Sequence, residues 1–110
     1  PVSRGVRDDA TGDSIFTTTD ESAWQIGRNH YQSSENYRWQ VNDARPAQAQ
    51  YQGQRRNVFT IDGRVIDLAT EAHIQSDATH FHVSFTKTLR QNGSVVREKT
   101  WTDSIPRHYQ

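Results

Sequence analysis

His73, His80 and His82 are the residues in this 110-residue chain whose type and spacing point most directly to chemistry. His80 and His82 stand two apart, so on a strand they share a face. Between Ile74 and Phe81 lie Gln75 and the turn-like run Ser76-Asp77-Ala78-Thr79, followed by His80. A two- or four-residue loop there keeps the apolar sets on one face and sets Ile74 opposite Phe81 and Ala72 opposite Val83. On the other face it sets His73 opposite His82 and Gln75 opposite His80. Three neutral imidazoles gathered in that way suit zinc. Glu71, two residues from His73 on the same face, is placed to accept that ring's second N–H. The competing reading is a solvated polar face, or one that packs on a partner through its His and Thr side chains.

Other constellations carry less. No two glycines stand four apart, so the Gly-x-Ser-x-Gly elbow that exposes a hydrolase serine is absent. There is no phosphate-cradling Gly loop followed by Lys, no His-Glu-x-x-His and no Cys. Nine Ser, five His and many Asp make chance Ser/His/Asp proximity easy, so no catalytic residue is assigned and no cofactor is called for. Trp24, Tyr31, Tyr37, Trp39 and Tyr51 offer flat rings for stacking on sugars. With so few aliphatic residues, the same rings are also needed to fill a core. Arginine outnumbers lysine 11 to two, and Arg45, Arg55 and Arg56 crowd one segment. They suit bidentate capture of a carboxylate or phosphate, or solvated ion pairs and an interdomain contact.

The elements that hold these residues read as strands. Two Leu stand against 11 Thr, eight Val and six Ile, a composition that favours β-structure. Phe59 and Ile61 alternate within 58–61. In 64–76 the even positions Ile66, Leu68, Ala72 and Ile74 are apolar, and in 80–90 the odd positions Phe81, Val83, Phe85 and Leu89 are. Strict period two marks half-buried antiparallel strands. Asp62-Gly63 and Asn92-Gly93 are tight hairpin turns, since both central positions need positive φ. Residues 57–102 therefore read as a four-strand meander. A two-residue turn at Asn92-Gly93 sets Lys87 opposite Glu98 and lands Trp101 on the polar face opposite Ser84, unless a bulge shifts it. Trp101 then joins His80 and His82 on a partner-facing surface. Upstream, Ser14–Thr19, Ala23–Arg28 and Asn36–Val41 read as short strands. Residues 44–56, polar and Gln-rich with Pro46 and Gly53 inside, read as a polar loop or one short helical turn. Together these predict a single all-β domain over 1–110: an antiparallel β-sandwich, jelly-roll-like, or part of one.

Composition bounds the rest. Thirteen basic and thirteen acidic side chains cancel, leaving no electrostatic footprint for nucleic acid or an anionic membrane. No apolar run approaches a membrane span. Large aliphatic and Phe residues number 20, enough for a thin core that neutrality and the aromatics keep from disorder. The chain has no Met and begins at Pro1, which suggests a piece of a longer protein.

One stretch is recognisable. Ser76-Asp77-Ala78-Thr79-His80-Phe81-His82-Val83, then Asn92-Gly93, Val95-Val96-Arg97, Trp101 and Ile105-Pro106-Arg107 follow in order. This arrangement over 73–107 resembles the C-terminal end of X-Pro dipeptidyl-peptidase/cocaine-esterase-type serine hydrolases, the CocE/NonD family. The resemblance implies a jelly-roll-like β domain packed on a catalytic α/β-hydrolase domain that carries the Ser-His-Asp triad outside this chain. On that footing the chain is a non-catalytic segment that helps wall the substrate pocket, with homo-oligomer contacts as a further role. A different class of protein, an independent β-module holding a carbohydrate, small ligand or metal, is the alternative.

Overall fold

A computed structural model describes residues 2–108, and it is all-β. Seven strands run β1 (Val2–Asp8), β2 (Asp13–Ile26), β3 (Asn29–Asn42), β4 (Arg45–Ile61), β5 (Arg64–Ser76), β6 (His80–Gln91) and β7 (Ser94–Pro106). They form one antiparallel sheet in chain order, each strand pairing with the next. Asp62 and Gly63 take φ of 50° and 76°, Asn92 and Gly93 of 51° and 83°, the left-handed pairs that tight hairpins require.

Several boundaries differ from the sequence reading. Segments 14–19 and 23–28 merge into the single strand β2, and β1 forms where no alternation announces it. The segment 44–56, expected as a loop or one short helical turn, is strand β4 from Arg45 onward. Its alternation is real but low in contrast: Ala49, Tyr51 and Gly53 face one way, while Gln50, Gln52 and Gln54 face the other. Pro46 is accommodated by a register break, because Asn42 pairs with Arg45 but Val41 pairs with Ala49. Residues 46–48 thus leave the β3 ladder, which suits a residue with no N–H to donate.

The β5–β6 register is shifted by two from the expected one. Ile74 faces Val83 and Ala72 faces Phe85, while Gln75 meets His82 and His73 meets Ser84. Parity is kept, so the apolar sets still share a face. The turn lies one residue further along than expected, over 77–80, because Asp77 caps it: its Oδ1 accepts from Thr79 N at 2.8 Å and His80 N at 2.7 Å. Arg107, the last residue of the Ile-Pro-Arg ending, locks this corner. Its Nη1 donates to Ala47 O at 2.8 Å and Asp77 O at 2.7 Å, and its backbone N–H donates to Thr79 O.

The β6–β7 register changes midway. Gln91 pairs with Ser94 and Arg90 with Val95, but Leu89 pairs with Arg97, leaving Val96 as an extra residue. This β-bulge flips the rest of β7. Trp101 therefore faces Phe85 rather than Ser84, Lys87 meets Lys99, and Glu98 lies beside Thr88. The expected Lys87–Glu98 pair does not form.

A closed core is missing among the described residues: no hydrophobic side chain is fully buried. The accessible surface is 8141 Å², against about 6,200 Å² for a compact monomer of 12.7 kDa. The radius of gyration is 17.8 Å, where about 13 Å is usual for this length. The thin core foreseen from composition is not closed within these residues: the apolar side chains lie open on the sheet.

Candidate functional site

The pairing register sorts every strand residue onto one of two faces. Among the described residues one face carries all the Phe, Tyr and Trp rings of the strands and most of the large aliphatic side chains, while Val2, Val6, Ile15, Val58, Val65 and Val95 lie on the other. Across β2–β5 run Phe16, Trp39, Tyr51 and Ile74, and in parallel Trp24, Tyr31, Phe59 and Ile66. On β6 and β7 follow Phe85 with Trp101 and Phe81 with Ile105. Neighbouring rings touch: Trp39 and Tyr51 centroids lie 4.9 Å apart, Trp24 and Tyr31 stack at 5.5 Å, and Phe85 meets Trp101 at 5.6 Å. Tyr37 and Tyr51 close over Gly53, where a Cβ would meet the Tyr51 hydroxyl at 2.5 Å. Yet Trp24 stays 48% exposed, Trp39 44% and Trp101 43%. The face is laterally packed and open above.

The opposite face is polar and internally satisfied. Asp67, only 6% exposed, accepts two bonds at 3.0 Å from Arg56 Nε. Thr88 Oγ1 donates to Glu98 Oε2 at 3.1 Å. Arg56 is thus an ion-pair partner within the chain, and Arg55 pairs across to Glu35 at 3.3 Å on the apolar face. Arg45 sits apart from both, at the start of β4.

The expected zinc cluster does not assemble. His73 faces Ser84 and bonds Glu71 at 2.8 Å, the pairing foreseen for Glu71. His80 Nδ1 bonds Thr79 Oγ1 at 2.8 Å, and His82 Nε2 bonds Asp77 Oδ2 at 2.9 Å. Among the described residues no three His, Asp or Glu are grouped to hold a metal. The two-residue register slip separates His73 from His82 across the ladder. Trp101 is likewise parted from His80 and His82, since the Val96 bulge carries it to the apolar face.

Sequence reasoning passed over one arrangement. Ser104 Oγ lies 3.4 Å from His82 Nδ1, and His82 Nε2 lies 2.9 Å from Asp77, a Ser-His-Asp chain on the polar face. It borders an open cleft of about 720 Å³ with His73 and Ser84. The hydrogen bonds from His82 and from the Thr79 and His80 amides hold the Asp77 carboxyl well below the usual carboxylate range. An acyl-transfer site also needs donors for the oxyanion. The Ser104 N–H is spent on Asp103 Oδ1 at 2.8 Å, and Pro106 two residues on has none. Asp77 and His82 stand about half exposed, so water competes at every step. The arrangement fastens β7 to the Asp77 turn.

The fold and these two faces define a class: a single-layer antiparallel sheet with one polar and one aromatic face. No family model, curated protein or solved structure matches the sequence.

Proposed function

We propose that this chain is a non-catalytic accessory layer of a serine hydrolase resembling the X-Pro dipeptidyl-peptidase/cocaine-esterase group. Its aromatic face lies against a second β layer and the catalytic α/β-hydrolase domain, and helps wall the substrate pocket. The observation that carries this reading is the exposure of the aromatic rings Phe16, Trp24, Trp39, Phe81, Phe85 and Trp101, all on one face of the sheet. An apolar face this wide on a monomer marks an interaction surface. The surface in excess of a compact monomer is about 1,900 Å², well above the ~800 Å² each partner gives to a standard interface.

The reading is tested on the gene and on the protein. The reading frame upstream of residue 1 is expected to encode a Gly-x-Ser-x-Gly elbow; a frame opening near residue 1 overturns it. The isolated chain is expected to hydrolyse p-nitrophenyl acetate no faster than its Ser104→Ala and His82→Ala variants. Hydrolysis abolished by either substitution would make the chain an enzyme in its own right.

The Phe16, Tyr37, Trp39 and Tyr51 cluster favours one second reading, a free-standing module stacking sugar rings. Saturable quenching of Trp39 emission by a soluble glucan supports that reading, and unchanged emission removes it.

A further inference from the structure

The β7 bulge has a chemical consequence beyond Trp101. By moving Glu98 to the polar face it sets Lys99 directly opposite Lys87 on the aromatic face, with Arg97 beside Leu89. Like charges directly opposed across a ladder are destabilising. Among the described residues no carboxylate lies in ion-pair contact with Lys87, Arg97 or Lys99. Lys99 Nζ instead sits over the Trp101 ring at 4.9 Å. The three cations and three apolar side chains, Leu68, Leu89 and Trp101, line a cleft of about 470 Å³ at this end of the sheet.

We propose that this cleft binds an aliphatic carboxylate, its head between Lys87, Lys99 and Arg97 and its chain along Leu68, Leu89 and Trp101. Two independent features select that class. The concentration of positive charge calls for an anion, and the Leu-Leu-Trp floor calls for an apolar body attached to it. The volume is that of a small-ligand pocket, apolar with a few convergent polar groups. The site needs no catalytic partner, so it is tested on the chain alone.

Octanoate, octan-1-ol and octylammonium are titrated against the chain while the indole N–H resonances of its three Trp are followed. Octanoate is expected to shift Trp101 saturably, with added salt weakening it. Octanol, lacking the charge-assisted bonds, binds roughly tenfold more weakly or worse. Lys87→Glu creates an opposite-charge pair with Lys99, so it is expected to fold at least as stably while losing octanoate. Equal binding of octanoate and octanol overturns the site, as do shifts confined to Trp24 and Trp39, or Lys87→Glu binding octanoate normally. Failure here leaves the accessory-layer reading standing, because that reading requires no ligand.

Discussion

Deleting Val96 removes the extra residue of the bulge and leaves every later pairing in place. Arg90 still faces Val95, and Leu89 then faces Arg97 with nothing between, so Lys87 keeps Lys99 opposite and Trp101 keeps Phe85. The Phe85–Trp101 contact at 5.6 Å, worth about 0.5–1.5 kcal/mol, is retained. So is the Lys99–Trp101 contact at 4.9 Å, worth about 0.5–1 kcal/mol at an exposed site. The register that loses them needs Val96 present and paired with Leu89. Lys87 then faces Glu98, a pair of about 0.2–1 kcal/mol, and Trp101 turns to the polar side opposite Ser84. The bulged register is thus favoured by about 1–2 kcal/mol, and deletion of Val96 keeps that gain. Thermal unfolding followed by circular dichroism is expected to give a midpoint at or above that of the parent chain. Fluorine NMR of 5-fluorotryptophan protein is expected to leave all three resonances near their places. A midpoint lower by roughly 4–9 °C with one resonance moved would show Trp101 turned away from Phe85 and refute the assignment of the register to this bulge.

Two further outcomes follow from the polar face and the turns. Arg56→Ala leaves the Asp67 carboxylate buried without its main donor and is expected to cost roughly 1–3 kcal/mol in urea unfolding, with Asp67→Asn in that background recovering part of the loss. Asp13, Asp43 and Asp77 all have lowered pKa values, through bonds from Asn42, Arg7 and His82 respectively. A depressed folded pKa gives stability that is complete above the ordinary carboxylate value of about 3.9 and lost as pH falls below it. Unfolding midpoints are therefore expected to be level down to that pH and to drop below it, with a shallower acid slope in Asp77→Asn; an identical slope would contradict the role of Asp77.

What was legible in the sequence depended on contrast. The Asp62-Gly63 and Asn92-Gly93 turns announce themselves by residue type, and Ile66–Ile74 and Phe81–Leu89 by strong alternation. β4 did not, because glutamine against alanine and glycine alternates without much hydropathy difference. The Asp77 turn kept its parity but not its place, since a side-chain cap at Asp77 moves the loop one residue along without altering which face is apolar. That one step decided whether His73 met His82. A bulge was open as an alternative for Trp101, but its place was hidden: Val95 and Val96 look alike, and only the gain of Trp101 beside Phe85 selects the extra residue. The Ser104–His82–Asp77 chain had no signal, because it depends on both of those shifts at once.

The most direct test of the account is whether the aromatic face, and not the polar one, is covered in the parent protein. Ser33 and Ser34 are adjacent on β3, both half-buried, and point to the aromatic and polar faces respectively. The chain has no cysteine, so Ser33→Cys and Ser34→Cys each give a unique thiol. Their reaction with a soluble disulfide reagent is measured in the isolated chain and in the full-length protein. The account predicts that both react in the isolated chain, and that joining the catalytic domain slows Ser33→Cys strongly while leaving Ser34→Cys unchanged. Equal reactivity of Ser33→Cys in the two forms, or protection of Ser34→Cys instead, would contradict it.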